Sequence, residues 1–430
     1  MDLERNGLPI NLPDRDEHVY FCPCLFTGDS KALNEDQGFV PYFICGRPRR
    51  ICRATVEETK TMIQEDQNLL RTEENYEADC RLKNPSETGV VELCCFNEWD
   101  NYSAMNNSVL DLMHDEFEGR ASYLLTNVCN DLIYKQQIFD LDYLNARIET
   151  INENTTPLSN KIPVIKKAHI TGNNKLKMSS AEMINFTRSF GLIVGEKMRH
   201  FEGENETWEL YTIHREIIDI LLSPRNVEGH YMKLEMLIPE FLSLYIKLFG
   251  HLKYKFHLLI HVLRILRKYG PLIHYWAMRM ESKQRELKAV ATCSSNTQNI
   301  LKTISLRSQL KLAHFKATGS LQIPDIEVNA YDDIDPRLRQ AYFSDVPAHI
   351  VISSTNNVVF RGTTFEFRMM CVIEMGDNDL LVFGLIEDIF IVQQELLLGK
   401  ATWSKDLPDI HPCIFTKIDE CLYVTPKYVL

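Results

Sequence analysis

Apolar residues recur at helical spacing through the middle of the chain. Leu124, Leu125, Val128, Leu132 and Ile133 mark one such run within residues 121–150, and residues 178–194, 208–222 and 233–249 repeat the period. Stripes of this kind predict helices that pack on one another. Residues 255–267 are amphipathic in the same way. Gly270-Pro271 then breaks the run, and a helix restarts near His274. After residue 303 comes a mixed linker, and the period changes. Residues 349–360, 364–374 and 380–392 alternate or run apolar with β-branched side chains, punctuated by Asn356-Asn357, Arg361-Gly362 and residues 376–378. That pattern predicts antiparallel strands joined by turns, a small barrel or sandwich. Residues 422–429 would close the set, with Pro426 confining them to an edge.

Toward the N-terminus the pattern is less regular. The first 18 residues are polar, and Pro9 and Pro13 argue against regular structure. Residues 18–27 form a short aromatic and apolar run, which predicts a buried strand ending at Gly28-Asp29. Residues 55–75 are charged and helix-forming, and a polar linker follows to residue 88. Residues 152–174, rich in Asn, Thr, Pro and Lys, read as a loop.

The densest chemistry lies in residues 111–119, DLMHDEFEG. Asp111, His114, Asp115 and Glu118 sit at i, i+3, i+4 and i+7, one face of a helix. Ser108 is placed to cap that helix and Gly119 to loosen or end it. A solvated acidic stripe and a functional cluster both fit this spacing.

Composition adds three constraints. Twelve cysteines without paired spacing suggest reduced thiols. Net charge is −12, yet residues 247–323 hold 14 Lys/Arg against the two acids Glu281 and Glu286, a local +12 inside an acidic chain. Such a segment suits a phosphate-binding face or a solvated helical one. No apolar leader and no apolar run of membrane-spanning length occurs, so the expectation is a nuclear or cytoplasmic protein, not a secreted or membrane one.

Four blocks resemble, in the same order, those of transposon-encoded proteins related to the CACTA-type cut-and-paste transposases. VYFCPCLFTGDSKALNEDQGF (residues 19–39) resembles the family's strand followed by G-D-x-x-x-L-N and G-F. DLMHDEFEG resembles its D-x-M-H-D-x-x-E-G. KMSSAEMINFTRSFGLIVGE (177–196) resembles its S-x-x-E-M-x-x-F-x-R-x-F-x-L-x-x-G. The segment 253–288 resembles its K-x-H-x-x-x-H-x-x-R, G-P-L and W-x-M-R-x-E-x-K.

The resemblance implies an α+β fold in four parts. Residues 1–120 would be an incomplete ribonuclease-H-like α/β core, 121–250 a large helical insertion, 251–303 a basic helical segment returning to the core, and 325–430 a small C-terminal antiparallel β-domain. It implies a D-D-E site in which Asp29 is the second acid and Glu281 the third, both as ligands of Mg²⁺ or Mn²⁺. Glu182 and Glu118 are alternatives for the third. In such enzymes one ion activates the attacking oxygen and another stabilises the leaving one. Asp111 and His114 form the D-x-x-H motif between these acids, with a positioning role. DNA phosphates would meet Lys253, Lys255, Arg264, Arg267, Lys268, Arg279, Lys283, Arg285 and Lys288.

Relatives carry a C-R-x-C pair where this chain has Arg49 and Cys52, so zinc, which takes about four ligands, is not expected. Cys45, Cys94 and Cys95 are further thiols, and His257 and His261 read as core histidines. The family's first acid lies on a strand well before the position of Asp29, whereas only 28 residues precede Asp29 here. Asp14 and Asp16 lie in a Pro-bounded loop. Leu263 stands where relatives have Pro and Gln284 where they often have His. The expectation is an N-terminally truncated, transposase-derived protein without cleavage activity. The alternatives are a non-catalytic DNA- or chromatin-binding remnant and a helical interaction protein. The oligomeric state is not specified.

Overall fold

The period-3.6 pattern of the middle of the chain becomes the helices Ala121–Asn130, Leu141–Glu153, Ser180–Met198, Glu206–Leu221 and Glu228–Phe249. Their apolar stripes meet in one core that includes Leu124, Val128, Phe186, Phe190, Ile217, Phe241 and Tyr245. Local signals start them. Ser179 accepts a hydrogen bond from the Glu182 amide, and Glu182 reaches back to the Ser179 amide at 2.7 Å, a reciprocal capping box. Asn205 caps Glu206–Leu221. Glu182 is thus a capping residue.

This computed structural model describes residues 2–11, 16–22, 24–42, 45–153, 160–172, 175–199, 205–294, 298–318, 326–328, 332–344, 347, 349–360, 363–375, 381–392, 395–405 and 415–424. Pro13, Asp14, Arg361-Gly362, residues 376–378 and Pro426 lie outside the described residues. Two compact units, Met1–Arg285 and Glu286–Leu430, divide the chain within the helix Ala277–Cys293. Among the described residues no helix is long and apolar enough to cross a membrane.

The N-terminal strand expectation fails. Leu8–Asn11 pairs antiparallel with Asp16–Val19, and the chain leaves strand geometry at Tyr20. Tyr20 and Phe21 are 62% and 50% exposed, so the apolar run is not buried. A strand needs a neighbour for its amides and carbonyls, and the described residues of this unit supply only the two-stranded hairpin and isolated bridges. One of these, the parallel bridge between Phe26 and Ser108, matters below. The expected helix over 55–75 is displaced. Val56–Thr59 is a single turn and Glu73–Arg81 is the helix, each started by a threonine capping box. Buried Asp79 ties this region together, accepting from Arg53 at 2.8 Å and Arg71 at 3.0 Å. The returning segment forms Tyr254–His257, Leu258–His261 and Val262–Tyr269, then Ala277–Cys293 after the Gly-Pro break.

The second unit is α+β. A helix, Ile300–Ala317, stands where a mixed linker was expected. Asn299 caps it by accepting from the Lys302 amide at 3.1 Å, and Leu, Lys and Gln are good helix formers. Its leucines, Leu301, Leu306 and Leu310 among them, are exposed, so no core-facing stripe betrayed it. Antiparallel strands follow as expected, including Ile352–Thr355, Asn357–Phe360, Thr363–Glu366, Met370–Met375 and Leu381–Val392. Glu395–Lys405 adds a long strand that the pattern did not predict, and Phe415–Val424 begins well before the closing strand expected at 422–429. The long strands align in the order Phe415–Val424, Glu395–Lys405, Leu381–Val392, Ile352–Thr355. Phe343 and Phe390 pack edge to face 5.1 Å apart in this unit's small core.

Candidate functional site

Two segments of the first unit arrive side by side at the Phe26–Ser108 bridge, and three residues beyond each partner stands an aspartate that caps a helix. Asp29 Oδ1 accepts from the amides of Lys31 and Ala32 at 2.7 and 2.9 Å, starting the helix Ser30–Asp36. Asp111 Oδ2 accepts from the His114 amide at 3.0 Å. Asp111, not Ser108, is therefore the cap. The helix it starts, Leu112–Arg120, has wide π-type turns and runs straight into Ala121–Asn130, so Gly119 does not end it. π-helical turns are uncommon and occur often at functional sites.

Asp111 has a second task. Its Oδ1 accepts from the Ala277 amide at 2.7 Å, and Ala277 is the first residue of the helix that carries Glu281. One buried carboxylate thus anchors the starts of two helices. His114 completes the link: Nδ1 bonds Asp111 Oδ2, and Nε2 meets Glu281 Oε1 at 3.0 Å. Thr27 Oγ1 lies 3.1 Å from Met280 Sδ, so the residues just before Asp29 and Glu281 also touch. The four expected site residues Asp29, Asp111, His114 and Glu281 converge. Asp111 serves as a clamp, since both its oxygens are engaged by protein.

Charge at the site follows from these contacts. The hydrogen bond from the His114 imidazole to the Asp111 carboxylate pushes the imidazole up to about 9 against the effect of its burial, and the Asp111, Glu118 and Glu281 charges add to the rise. Burial pushes Asp29 up, but the Ala32 and Lys31 amides with the His114 and Lys255 charges outweigh it and hold the carboxyl low. Fully buried Asp115 is pushed up by desolvation, opposed by Arg50 and Lys255. It accepts from Ser30 Oγ at 3.1 Å and the Asp111 amide at 3.2 Å, tying the two capped helices together.

The acidic-stripe reading is overturned, because Asp115 and Glu116 face inward. Glu116 bonds Arg120 and, at 2.6 Å, His214 Nε2 in a buried triad. Glu118 Oε1 accepts from Ser180 Oγ at 2.9 Å, while Glu281 bonds His114 Nε2 at 3.0 Å.

The basic residues divide into groups. Lys255 crosses Gly119 so closely that a Cβ there would lie 2.2 Å from its Cδ, and its Nζ donates to the His114 carbonyl. Lys253 Nζ sits 3.7 Å from the centroid of the Tyr123 ring, and Lys175 Nζ approaches the same ring at 5.6 Å. Burial lowers both lysines, and Lys175 is lowered further by Lys255 and Lys253 by Lys175. Lys175 and Tyr123 carried no sequence signal, because Lys175 lies just past the expected loop 152–174, outside any periodic segment.

Arg264, Arg267 and Lys268 do not join that group. Arg264 bonds Glu65, Arg267 bonds Glu228 at 2.8 Å, and Lys268 donates to the Asn106 carbonyl at 2.6 Å. All three line a separate cavity of about 690 Å³ floored by Ile63, Leu234, Ile238 and Leu263. Arg279, Lys283, Arg285 and Lys288 are exposed on the helix of Glu281.

A second polar cluster lies nearby in sequence terms. Cys52, His257 and His261, all buried, each offer a ligand atom within 4.8 Å of the others. The histidines expected to be plain core residues thus lie together with Cys52. Cys94 instead bonds the Asp36 carbonyl at 3.3 Å, and Cys95 is exposed. Arg49 is buried over the Tyr254 ring, 3.6 Å from its centroid. No family model, curated protein or solved structure matches the chain.

Proposed function

We propose that residues 1–285 derive from a D-D-E transposase of the CACTA-related kind, and that the site at Asp29 and Glu281 binds a nucleic-acid phosphodiester with one divalent ion without cutting it. The observation that carries this reading is the chain Asp111–His114–Glu281, joined by hydrogen bonds, with Asp29 held in the field of His114. Residues this far apart in sequence were grouped by resemblance alone, and a folded chain has no general reason to collect them.

The chemistry of the donors sets the limit. Asp29 Oδ1 and Glu281 Oε1 are engaged, and the second oxygen of each is the one left to face an ion. Two carboxylate oxygens, completed by water and phosphate, suit one Mg²⁺ or Mn²⁺. Two-ion strand cleavage needs a shared set of acids, and Asp111 is spent on its clamp. Lys175, Lys253 and Tyr123 beside the site, with exposed Arg279, Lys283 and Arg285, supply phosphate and base contacts. His114, charged at neutral pH, adds positive potential, both of its N–H groups being engaged by Asp111 and Glu281.

Fluorescence anisotropy with a labelled duplex tests the reading. Binding should weaken steeply between about 50 and 200 mM salt, as counterion release requires, and Lys175→Glu with Lys253→Glu should flatten that slope. The duplex should stay intact in Mg²⁺ or Mn²⁺. Absent or salt-insensitive binding would refute the nucleic-acid reading. Metal-dependent nicking lost in Asp29→Asn would refute the non-cutting part.

A further inference from the structure

We infer that Arg49 stands in place of a metal ligand, so that Cys52, His257 and His261 form three corners of a site that the single substitution Arg49→Cys turns into a tetrahedral zinc site. This inference concerns the second cluster and does not depend on nucleic-acid binding.

The three donors are arranged as ligands, not as ordinary core side chains. Cys52 Sγ lies 3.3 Å from His257 Nε2. His261 Nδ1 bonds the Glu65 carboxylate, which Arg264 holds through both oxygens at 3.1 Å. A proton on Nδ1 leaves His261 Nε2 as a lone pair. That nitrogen is buried with no hydrogen-bond partner, as is His257 Nδ1. Unpartnered buried nitrogens are costly. A carboxylate that orients a histidine from behind is the usual companion of a metal-binding imidazole. One thiolate and two imidazoles are soft to intermediate donors of the kind zinc takes.

The fourth neighbour is a cation. Arg49 lies three residues before Cys52, donates to the Tyr254 carbonyl at 3.3 Å and to Thr59 Oγ1 at 3.2 Å, and is buried. Its charge acts on all three donors. Burial, the neighbouring His261 and Arg49 together push the His257 imidazole down to about 2, so it stays neutral as a ligand must. A fixed guanidinium repels a divalent ion and offers no lone pair. With cysteine at 49, the chain would read C-x₂-C…H-x₃-H, the spacing of structural zinc sites, and one opposing charge would be gone.

Cobalt titration of the intact chain reads this directly, since Co²⁺ bound through thiolate in tetrahedral geometry has strong visible bands. The wild-type chain should show no stoichiometric band and no zinc-dependent rise in thermal midpoint. Arg49→Cys should bind one equivalent at least about a hundredfold more tightly, a margin like that of lost or gained coordination support. Adding Cys52→Ser to that variant should abolish the band. Arg49→Ala, which removes the charge and adds no ligand, should bind more weakly than Arg49→Cys and more tightly than wild type. One tightly held equivalent in the wild-type chain overturns the inference whatever the variants do. So does a folded Arg49→Cys chain, with wild-type circular dichroism, that fails to bind.

Discussion

The two polar clusters of the first unit are built around the same short helix, Tyr254–His257, and differ in how each is neutralised. Lys255 leans on Gly119 and His114 at the oxygen-rich site, while His257 faces Cys52 in the buried sulfur and nitrogen cluster. Each holds a protein cation among its donors. At the oxygen-rich site it is the His114 imidazole, which can lose its proton and release Glu281. In the buried cluster it is the Arg49 guanidinium, which stays charged in proteins. The first cluster is therefore open to pH. The second is fixed.

The largest expected effect comes from breaking the clamp. Asp111→Ala removes a buried carboxylate that caps its own helix, receives the Ala277 amide and holds His114. Losing one partner of such a buried ionic group costs roughly 3–5 kcal/mol, and chemical denaturation should show it. A loss below about 1 kcal/mol, the scale of an ordinary surface contact, would mean that Asp111 is not the structural centre of the site.

Next comes the pH dependence that separates the two cations. His114 is raised from 6.5 to about 9 in the fold. A raised value means that folding favours the protonated form. The His114 contribution is complete below 6.5 and lost as pH rises through about 9. Its size is on the order of 2 kcal/mol, given that partial exposure screens it. Subtracting the stability of His114→Gln from that of wild type across this window should show the loss. A flat difference would contradict the Asp111–His114 pairing.

The smallest expected effect is at Gly119. A methyl group there must displace Lys255 and its bond to the His114 carbonyl, while alanine favours the helix by about 0.5–1 kcal/mol over glycine. The two nearly cancel, so Gly119→Ala should change stability by less than about 1 kcal/mol. Its signature should be an altered His114 titration, followed by NMR. An unchanged titration would show that Lys255 does not sense this position.

These contrasts also show what the sequence could reveal. The helices of residues 121–250 were legible because a core-facing stripe repeats with the helical period, and Asp111–His114 was legible as a spaced motif, whereas Glu281 was singled out by resemblance alone. The role of Asp111 was not legible, because the hydrogen bond it accepts from the Ala277 amide joins residues 166 positions apart and leaves no periodic trace. The same holds for Lys175 over Tyr123, and for Glu65 behind His261. The strand predicted over residues 18–27 failed for a related reason: aromatic content signals burial, but pairing depends on a neighbour elsewhere in the chain. The expected acidic stripe turned inward because Arg120, His214, Ser30 and Arg50 wait there to meet it.

Manganese binding tests the central claim most directly. Isothermal titration of the full chain with Mn²⁺ should give one site, tighter at pH 9 than at pH 7 as His114 releases Glu281, and at least about tenfold weaker in Asp29→Asn and in Glu281→Gln, the loss expected when one of two carboxylate ligands goes. Stoichiometric binding that survives both substitutions, or no binding at either pH, would contradict the assignment of Asp29 and Glu281 as the metal-holding pair.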